Sequence, residues 1–554
     1  METGNILQSR RVKIQHLYQS YCSGQTTMPA CNLLRFLHIE QMEVTATDRT
    51  VKALIDKFEI DETARENSSM SFEGFFRYME SKECCVFNQL HKKVYQNMDQ
   101  PLTSYFISSS HNTYIIGDQL VGETHLDGYI CALRKGCRCV EIDCWDGPDL
   151  EPVVFHGHTL TNKLLFKDII TTVSQHAFEV SAYPVILSLE NHCSLEQQEV
   201  LAQHLISILG DKLLKEPLAH LTSGELPSPN DLKYKILVKN KKVRPHSQTE
   251  EGTGTETQDI EDEDDEEEKD QPTSSFFSSI KWIFGKKRKK VVVAEVLSDL
   301  VIYTCSVKFI SFDYSREHQK YCENTSMDEN KARKLAKDSS MEFIQHNQRF
   351  LSRIYPSGAR LSSSNYNPQE FWNIGSQLVA LNFQSLGSHM DLHDGRFQDN
   401  GGCGYTLKPP VLMSSQEHFD PRSRNHSPEL TYLLLKIISG SDLPTSRSIK
   451  AVDRFVRVDV HGTQCDFCTK STHGVKHNSL SPWWDFDINF KICVPGLCLI
   501  RFCVRDETGP FSSEFVGQYT LPLTSLKKGY RWVPLRDRDG SSLDPASLFV
   551  YVCY

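Results

Sequence analysis

Apolar positions along the chain fall into four blocks of different period. Over residues 1–95 they recur at helical spacing, as in Leu54, Ile55 and Phe58 and again in Phe72, Phe75, Phe76 and Tyr78. From about 101 they form short runs separated by helical stretches such as 195–209. This predicts strands at 105–109, 138–144, 153–155, 185–189 and 235–238. Periodicity stops near 244, and strand-like runs resume at 300–303, 352–355 and 378–383. The last block, 428–554, has strand patterns at 432–438, 455–460, 484–490, 499–504 and 548–552, with turn residues and no helical period between them.

Strands alternating with helices predict a parallel sheet or barrel. Five predicted strands before residue 244 and three after it make eight, which fits a (β/α)8 TIM-type barrel with an insertion through its middle. The terminal block predicts an antiparallel β-sandwich. The expected organisation is a helical lobe (1–95), a first half-barrel (96–243), a linker (244–296), a second half-barrel (297–412), a short connection (413–427) and the sandwich (428–554).

Charge changes this picture only locally. The net charge of -10 hides one acidic block, in which every residue from Asp259 to Glu268 except Ile260 is acidic, and one basic run, Lys286-Lys287-Arg288-Lys289-Lys290. A Thr-, Gly-, Ser- and acid-rich stretch of this kind predicts a disordered linker. Phe276, Phe277, Trp282, Ile283 and Phe284 precede the basic run. Aromatics beside clustered cations suit an anionic membrane surface, with nuclear import or a solvated charge run as rival readings.

The first residues lack the apolar core of a secretory signal, and no run of 18 apolar residues is present; the stretch 492–504 is too short and holds Arg501. A cytoplasmic, peripheral membrane protein is expected, monomeric and without nucleic acid. The eighteen cysteines are irregularly spaced, as in a reducing compartment. Cys137, Cys139 and Cys144 form one local cluster, and Cys465 with Cys468 a second. Each lies in an apolar run without a second ligand pair, so both are read as buried thiols rather than zinc ligands.

Polar residues gather where the predicted barrel strands end. His111 and Asn112 follow the first, and Glu141 and Asp143 share a face of the second. His156 ends the third and Glu190 the fourth; Lys239 and Lys241 follow the fifth, and Arg353 and Tyr355 lie on the seventh. A barrel carries its active site at the carboxyl ends of its strands. Asn112, Glu141, Asp143 and Glu190 are hard oxygen donors suited to calcium or magnesium. His111 and His156 handle protons near neutrality, and the cations hold phosphate. Together they suggest phosphodiester cleavage.

The runs Ser108-Ser109-Ser110-His111-Asn112-Thr113-Tyr114, Cys137 through Gly147 and Leu187-Ser188-Leu189-Glu190-Asn191-His192 resemble the signature of eukaryotic phosphoinositide-specific phospholipase C. So do Ser352-Arg353-Ile354-Tyr355-Pro356 and Asn400 through Tyr405. The resemblance covers nearly the whole chain, as an EF-hand lobe, X and Y half-barrels and a C2 domain. The EF-hand loops look poor as calcium sites, because the residues from Asp61 onward lack the glycine and alternating oxygen ligands. Within the family the chain is similar to the delta and zeta types. Absence of a pleckstrin-homology domain favours the zeta type, the sperm form that triggers egg calcium release; the acidic linker leans toward delta.

The resemblance implies calcium-dependent hydrolysis of phosphatidylinositol 4,5-bisphosphate to diacylglycerol and inositol 1,4,5-trisphosphate. Asn112, Glu141, Asp143 and Glu190 would hold calcium, with Glu141 or Glu190 as general base. His111 would stabilise the transition state and His156 protonate the leaving oxygen. Lys239, Lys241, Ser326 and Arg353 would grip the ring phosphates and Tyr355 pack on the inositol. Leu120 keeps an apolar membrane rim whose other positions match His158, Leu160 and Ala359. Asp453 and Asp506 are candidate calcium ligands of the C2 domain, where Thr508 replaces a further acid. The rival of a different class is a catalytically inactive phosphoinositide-binding scaffold.

Overall fold

In the computed structural model the described residues are 2–157, 159, 161–221, 224–243, 293–414, 419–423, 430–444, 453–475, 480–509 and 512–554, with side chains described from residue 11. The acidic block, Trp282 and the Lys286–Lys290 run, together with His158 and Leu160, lie outside them. Among the described residues no helix is long and apolar enough to cross a membrane.

The barrel has eight parallel strands: β1 Ser109–Ser110, β2 Cys139–Trp145, β3 Val185–Asn191, β4 Ile236–Lys239, β5 Cys305–Val307, β6 Glu323–Asp328, β7 Leu351–Tyr355 and β8 Leu378–Leu381. They pair in chain order, β8 pairs β1, and a parallel bridge from Asn240 to Cys305 closes the ring between β4 and β5. Four strands therefore precede the linker and four follow it, which corrects the expected five and three. The run Val153–Val154 is an antiparallel excursion pairing with Cys144–Trp145 and with Leu164–Leu165. Tyr105–Ile107 pairs with Tyr405–Leu407 instead of entering the ring. The stretch 300–303 is a turn, and β6, Glu-Asn-Thr-Ser-Met-Asp, carries too few apolar residues to show in the pattern. Apolar burial lies mainly between strands and helices, where Val140, Ile142, Leu187 and Val238 meet Ile169, Ile170, Leu201 and Leu205.

The sandwich is an eight-stranded antiparallel sheet system: β9 Thr431–Ser441, β10 Asp453–His461, β11 Cys468–Ser471, β12 Trp483–Ile492, β13 Leu499–Gly509, β14 Ser512–Pro522, β15 Gly529–Arg536 and β16 Ser542–Cys553. It packs on both neighbours. Val494, Leu497 and Leu499 share a core with Trp372 and Phe397 of the barrel, and Trp532 and Phe549 share one with Phe36 and Phe75 of the helical lobe. In that lobe Glu59 is buried just before the loop that begins at Asp61. Its carboxylate accepts the backbone N–H groups of Ile60, Asp61 and Ser71 and the Ser71 hydroxyl. Those oxygens serve the fold, which gives the poor loop a structural reason.

Candidate active site

Register places the acids together. On β2 the inward residues are two apart, and Ser188 and Glu190 of β3 stand beside Glu141 and Asp143 respectively. Lys239 of β4 stands beside Ser188, and Ser326 of β6 beside Arg353 of β7. The carboxyl ends of five strands thus bring Glu141, Asp143, Glu190, Lys239, Ser326, Arg353 and Tyr355 to one rim. His111 and Asn112 follow β1. Asn112 has φ 41, a left-handed conformation that asparagine tolerates, and this turn aims its backbone N–H at Glu141 Oε2, 2.7 Å away.

His156 reaches the rim on the excursion between β2 and β3, not on a barrel strand. Gly157 makes this possible: a Cβ there would lie 2.1 Å from the Trp145 ring. His156 Nδ1–H donates to the backbone oxygen of Gln119 at 2.7 Å, which leaves Nε2 facing away from the backbone. His111 Nδ1–H donates to Asn382 Oδ1 at 2.9 Å, and its Nε2 lies 4.0 Å from Glu141. The His111 and Tyr355 rings are parallel, with centroids 6.4 Å apart.

Electrostatics separate the acids. Burial alone would raise Glu141, but Arg353, 2.9 Å from its Oε1, holds it below the usual carboxylate range with help from His111 and the Asn112 N–H. Asp143 is pushed well up by burial and by the charge of Glu141, although the Tyr114 hydroxyl donates to its Oδ2 at 2.6 Å. Burial also raises Glu190, against the pull of Lys239. Burial lowers Lys239, against Glu190, and lowers His111, against Glu141. Three carboxylates thus face two buried cations.

This donor set fits a hard divalent ion. Asp143 Oδ1 is buried without a hydrogen-bond partner. Asn112 commits its Nδ2 to Gln119, at 2.8 Å, and keeps its Oδ1. Oxygen donors with excess negative charge suit calcium or magnesium better than zinc. Arg353, like Lys239, is 1% exposed, and it lies 2.9 Å from Glu141. Lys239 and Lys241 differ in environment: the first is buried at the end of β4, the second is exposed beyond it. Ser326 Oγ is buried without a partner.

Sequence reasoning missed Gln119, which joins the rim. Its Oε1 accepts from Asn112 and its backbone oxygen from His156; its Nε2 donates to Ser363 at 2.8 Å and approaches Asn382 Oδ1, the acceptor of His111, at 3.5 Å. No motif signals such a loop residue. Asn382 was missed for the same reason, and Tyr114, although it ends the first signature run, was given no role. At the lip, Leu120 is 44% exposed, with Val121 at 64% and Leu361 at 47%. The bond from Gln119 N–H to the Leu361 oxygen joins the two loops. Ala359 is exposed nearby.

The C2 expectation is corrected at Asp506. That residue is fully buried, and Arg454 donates to its two oxygens from Nε at 2.6 Å and Nη2 at 2.8 Å. Asp453 lies across the strands from Glu507, and Thr508 bonds Ser512.

Comparison with known proteins is consistent along the chain. Models for phosphatidylinositol-specific phospholipase C match as the X domain over residues 98–242 and the Y domain over residues 297–411. A phosphoinositide-specific phospholipase C EF-hand-like model matches residues 5–89, and a C2 domain model residues 431–535. The chain is 47% identical to 1-phosphatidylinositol 4,5-bisphosphate phosphodiesterase zeta-1 of Homo sapiens, over 99% of this chain and 89% of the relative. It is 44% identical to the delta-4 phosphodiesterase of the same species, over 98% and 72%. The crystal structure of S. officinalis PLC21 superposes with a TM-score of 0.82 at 33% identity, over 98% of this chain and 68% of that one.

Proposed function

The chain belongs to the phosphoinositide-specific phospholipase C family, and from that premise we propose that it hydrolyses phosphatidylinositol 4,5-bisphosphate to diacylglycerol and inositol 1,4,5-trisphosphate, with calcium at the barrel rim. The observation that carries the reading is the pairing of two histidines with an oxygen cluster that keeps an unsatisfied buried carboxylate oxygen, Asp143 Oδ1.

Asn112, Glu141, Asp143 and Glu190 hold the ion in this reading. When bound, calcium acidifies the attacking 2-hydroxyl and offsets negative charge at phosphorus. The chain's own groups do the rest. Glu141 or Glu190 accepts the hydroxyl proton. His156, its Nδ1–H fixed on the Gln119 oxygen, presents Nε2 to the leaving glycerol oxygen: as the imidazolium it donates a proton, and as the neutral ring it then takes one from water. His111 donates from Nε2 only when protonated, because its Nδ1–H is held by Asn382. Burial opposes that charge and Glu141 favours it. Lys239, Lys241, Ser326 and Arg353 face the ring phosphates in this reading, with Arg353 also 2.9 Å from Glu141. Tyr355 packs on the inositol.

Leu120, Val121 and Leu361 form the membrane-facing lip, a peripheral attachment. The Lys286–Lys290 run beside Trp282 adds attraction to anionic lipid, roughly 1 kcal/mol per basic residue near the surface.

The test is release of inositol trisphosphate from mixed vesicles across free calcium, with His156→Ala as control. Calcium-dependent release that falls about 100- to 10,000-fold in the variant supports the proposal. Folded protein that binds vesicles but releases nothing at any calcium level would replace it with a phosphoinositide-binding scaffold.

A further inference from the structure

One cluster of metal-ligating side chains lies outside the barrel and has no part in the proposed reaction. It sits at the end of the sandwich that docks on the second half-barrel. The turn after β10 carries Thr463, Cys465 and Asp466, and Cys493 directly follows β12. Cys465 Sγ, a carboxylate oxygen of Asp466 and Cys493 Sγ all lie within 4.8 Å of one another. Cys498 borders the same carboxylate. A Cβ on Gly462 would stand 2.6 Å from Cys498 Sγ and 3.3 Å from Asp466 Oδ2, so only glycine lets this wall close.

Asp466 is 1% exposed, and among the described residues it has no ion-pair partner. Its oxygens accept from the Cys493 N–H at 2.5 Å, the Val494 N–H at 3.3 Å and the Thr463 hydroxyl at 2.7 Å. Oδ1 receives only the first of these and keeps a lone pair. A buried carboxylate with no cation beside it, flanked by three thiols, is the environment a thiolate-binding divalent ion completes.

We propose that Cys465, Asp466 and Cys493 form a binding site for a zinc-class divalent ion, with Cys498 at its border. Two sulfurs and one oxygen supply three positions of a tetrahedral zinc, with metal–ligand distances of about 2.0–2.3 Å, and solvent fills the fourth. The ion enters as the thiols release their protons to solvent, and no oxidation is involved. Spacing alone pairs Cys465 with Cys468, but Cys468 lies on β11 and outside the cluster. The real second thiol comes from another strand.

The site braces a joint. Gly462, before the turn, accepts from Asn373 of the barrel at 2.8 Å. Leu497, between the two later cysteines, accepts from Gln369 at 3.0 Å and Arg396 at 3.1 Å. One ion would lock together the two loops whose carbonyls hold the C2 domain on the barrel.

The test uses the full chain, reduced, stripped of metal with a chelator, and titrated with cobalt(II) as a spectroscopic probe. One equivalent should produce a thiolate-to-cobalt charge-transfer band and the visible bands of a tetrahedral ion, both displaced by zinc and unaffected by calcium. The Cys465→Ser/Cys493→Ser variant should lose them, and Cys498→Ala and Cys468→Ser should keep them. Zinc should raise the melting temperature of the wild type and not of the double variant. No charge-transfer band from folded wild type, an unchanged band in the double variant, or a Cys465–Cys493 disulfide that survives reduction would overturn the proposal.

Discussion

The barrel and the C2 domain each bury a carboxylate against an arginine, and they finish the job differently. In the C2 domain Arg454 meets both oxygens of Asp506, and a further Arg454 bond goes to the Pro444 oxygen. In the barrel Arg353 meets one oxygen of Glu141, and the next acid, Asp143, keeps an oxygen with no partner. A closed pair needs no ion. An acid cluster left short of positive charge stores its own repulsion, which an ion relieves. The same two residue types thus make a structural clamp in one place and a poised site in the other.

The strongest way to break this comparison is Asp506→Ala. It leaves Arg454 buried and uncompensated, and should cost about 3–5 kcal/mol of stability. Replacing both partners, Arg454→Met with Asp506→Leu, should cost much less, because no charge remains buried. Calcium dependence of vesicle binding should be the same in the wild type and the double variant. Denaturant unfolding and vesicle sedimentation read both, and a lost calcium response in the double variant would return Asp506 to the list of calcium ligands.

Asp143→Asn should behave in the opposite way. Asparagine still accepts from Tyr114 but cannot charge. Activity should fall upwards of about 100-fold, since loss of even an outer-shell partner costs 10–100-fold. Without calcium the variant should be at least as stable as wild type at neutral pH. The sign follows from the raised carboxyl of Asp143. The folded state holds this proton more tightly, so its stability contribution is full below the ordinary aspartate range and is lost as pH rises toward the folded value. Metal-free wild type should therefore lose more stability than Asp143→Asn on going from acid to neutral pH, and calcium should remove the difference. Melting curves across pH with and without chelator check it.

Gln119→Ala sits between these extremes. It removes the side-chain ties to Asn112, Ser363 and Asn382 but keeps the backbone oxygen that holds His156. A drop of about 10- to 100-fold is expected, with weaker calcium affinity. Gln119→Glu, which keeps an acceptor for Asn112, should recover part of the calcium affinity.

What could be read from sequence follows the same division. His111, Glu141, Asp143 and Glu190 lie in contiguous runs at strand ends, where a period of two and a change from apolar to polar mark the rim. The second-half strands were harder. β6 faces a polar barrel interior, and its Asn324, Thr325 and Ser326 erase the apolar alternation that strand reading needs. His156 was found by type and misplaced by element, because a two-residue antiparallel excursion looks like a short barrel strand. Gln119 and the Arg454–Asp506 pair were beyond reach, since their roles depend on partners brought near only by the fold. Arg454 follows Asp453 in sequence, but nothing local says that its guanidinium crosses to β13.

The smallest expected effect concerns the lip. Leu120 and Val121 follow Asp118, whose carboxylate accepts both their N–H groups at 2.9 and 2.8 Å. The turn is therefore built to hold two apolar side chains outward, and burying them on folding is not its purpose. Each gains about 1.5–3 kcal/mol on full burial, and insertion among lipid headgroups realises only part of that. Leu120→Ser with Val121→Ser should lower hydrolysis in vesicles by about 10-fold, at the level of one lost partial burial. The same variant should cleave a soluble, short-chain phosphoinositide at the wild-type rate and unfold at the wild-type denaturant concentration, because neither side chain packs on the core. Equal losses on both substrates would mean that this turn shapes the catalytic rim through Gln119, and that the lip does not meet the membrane.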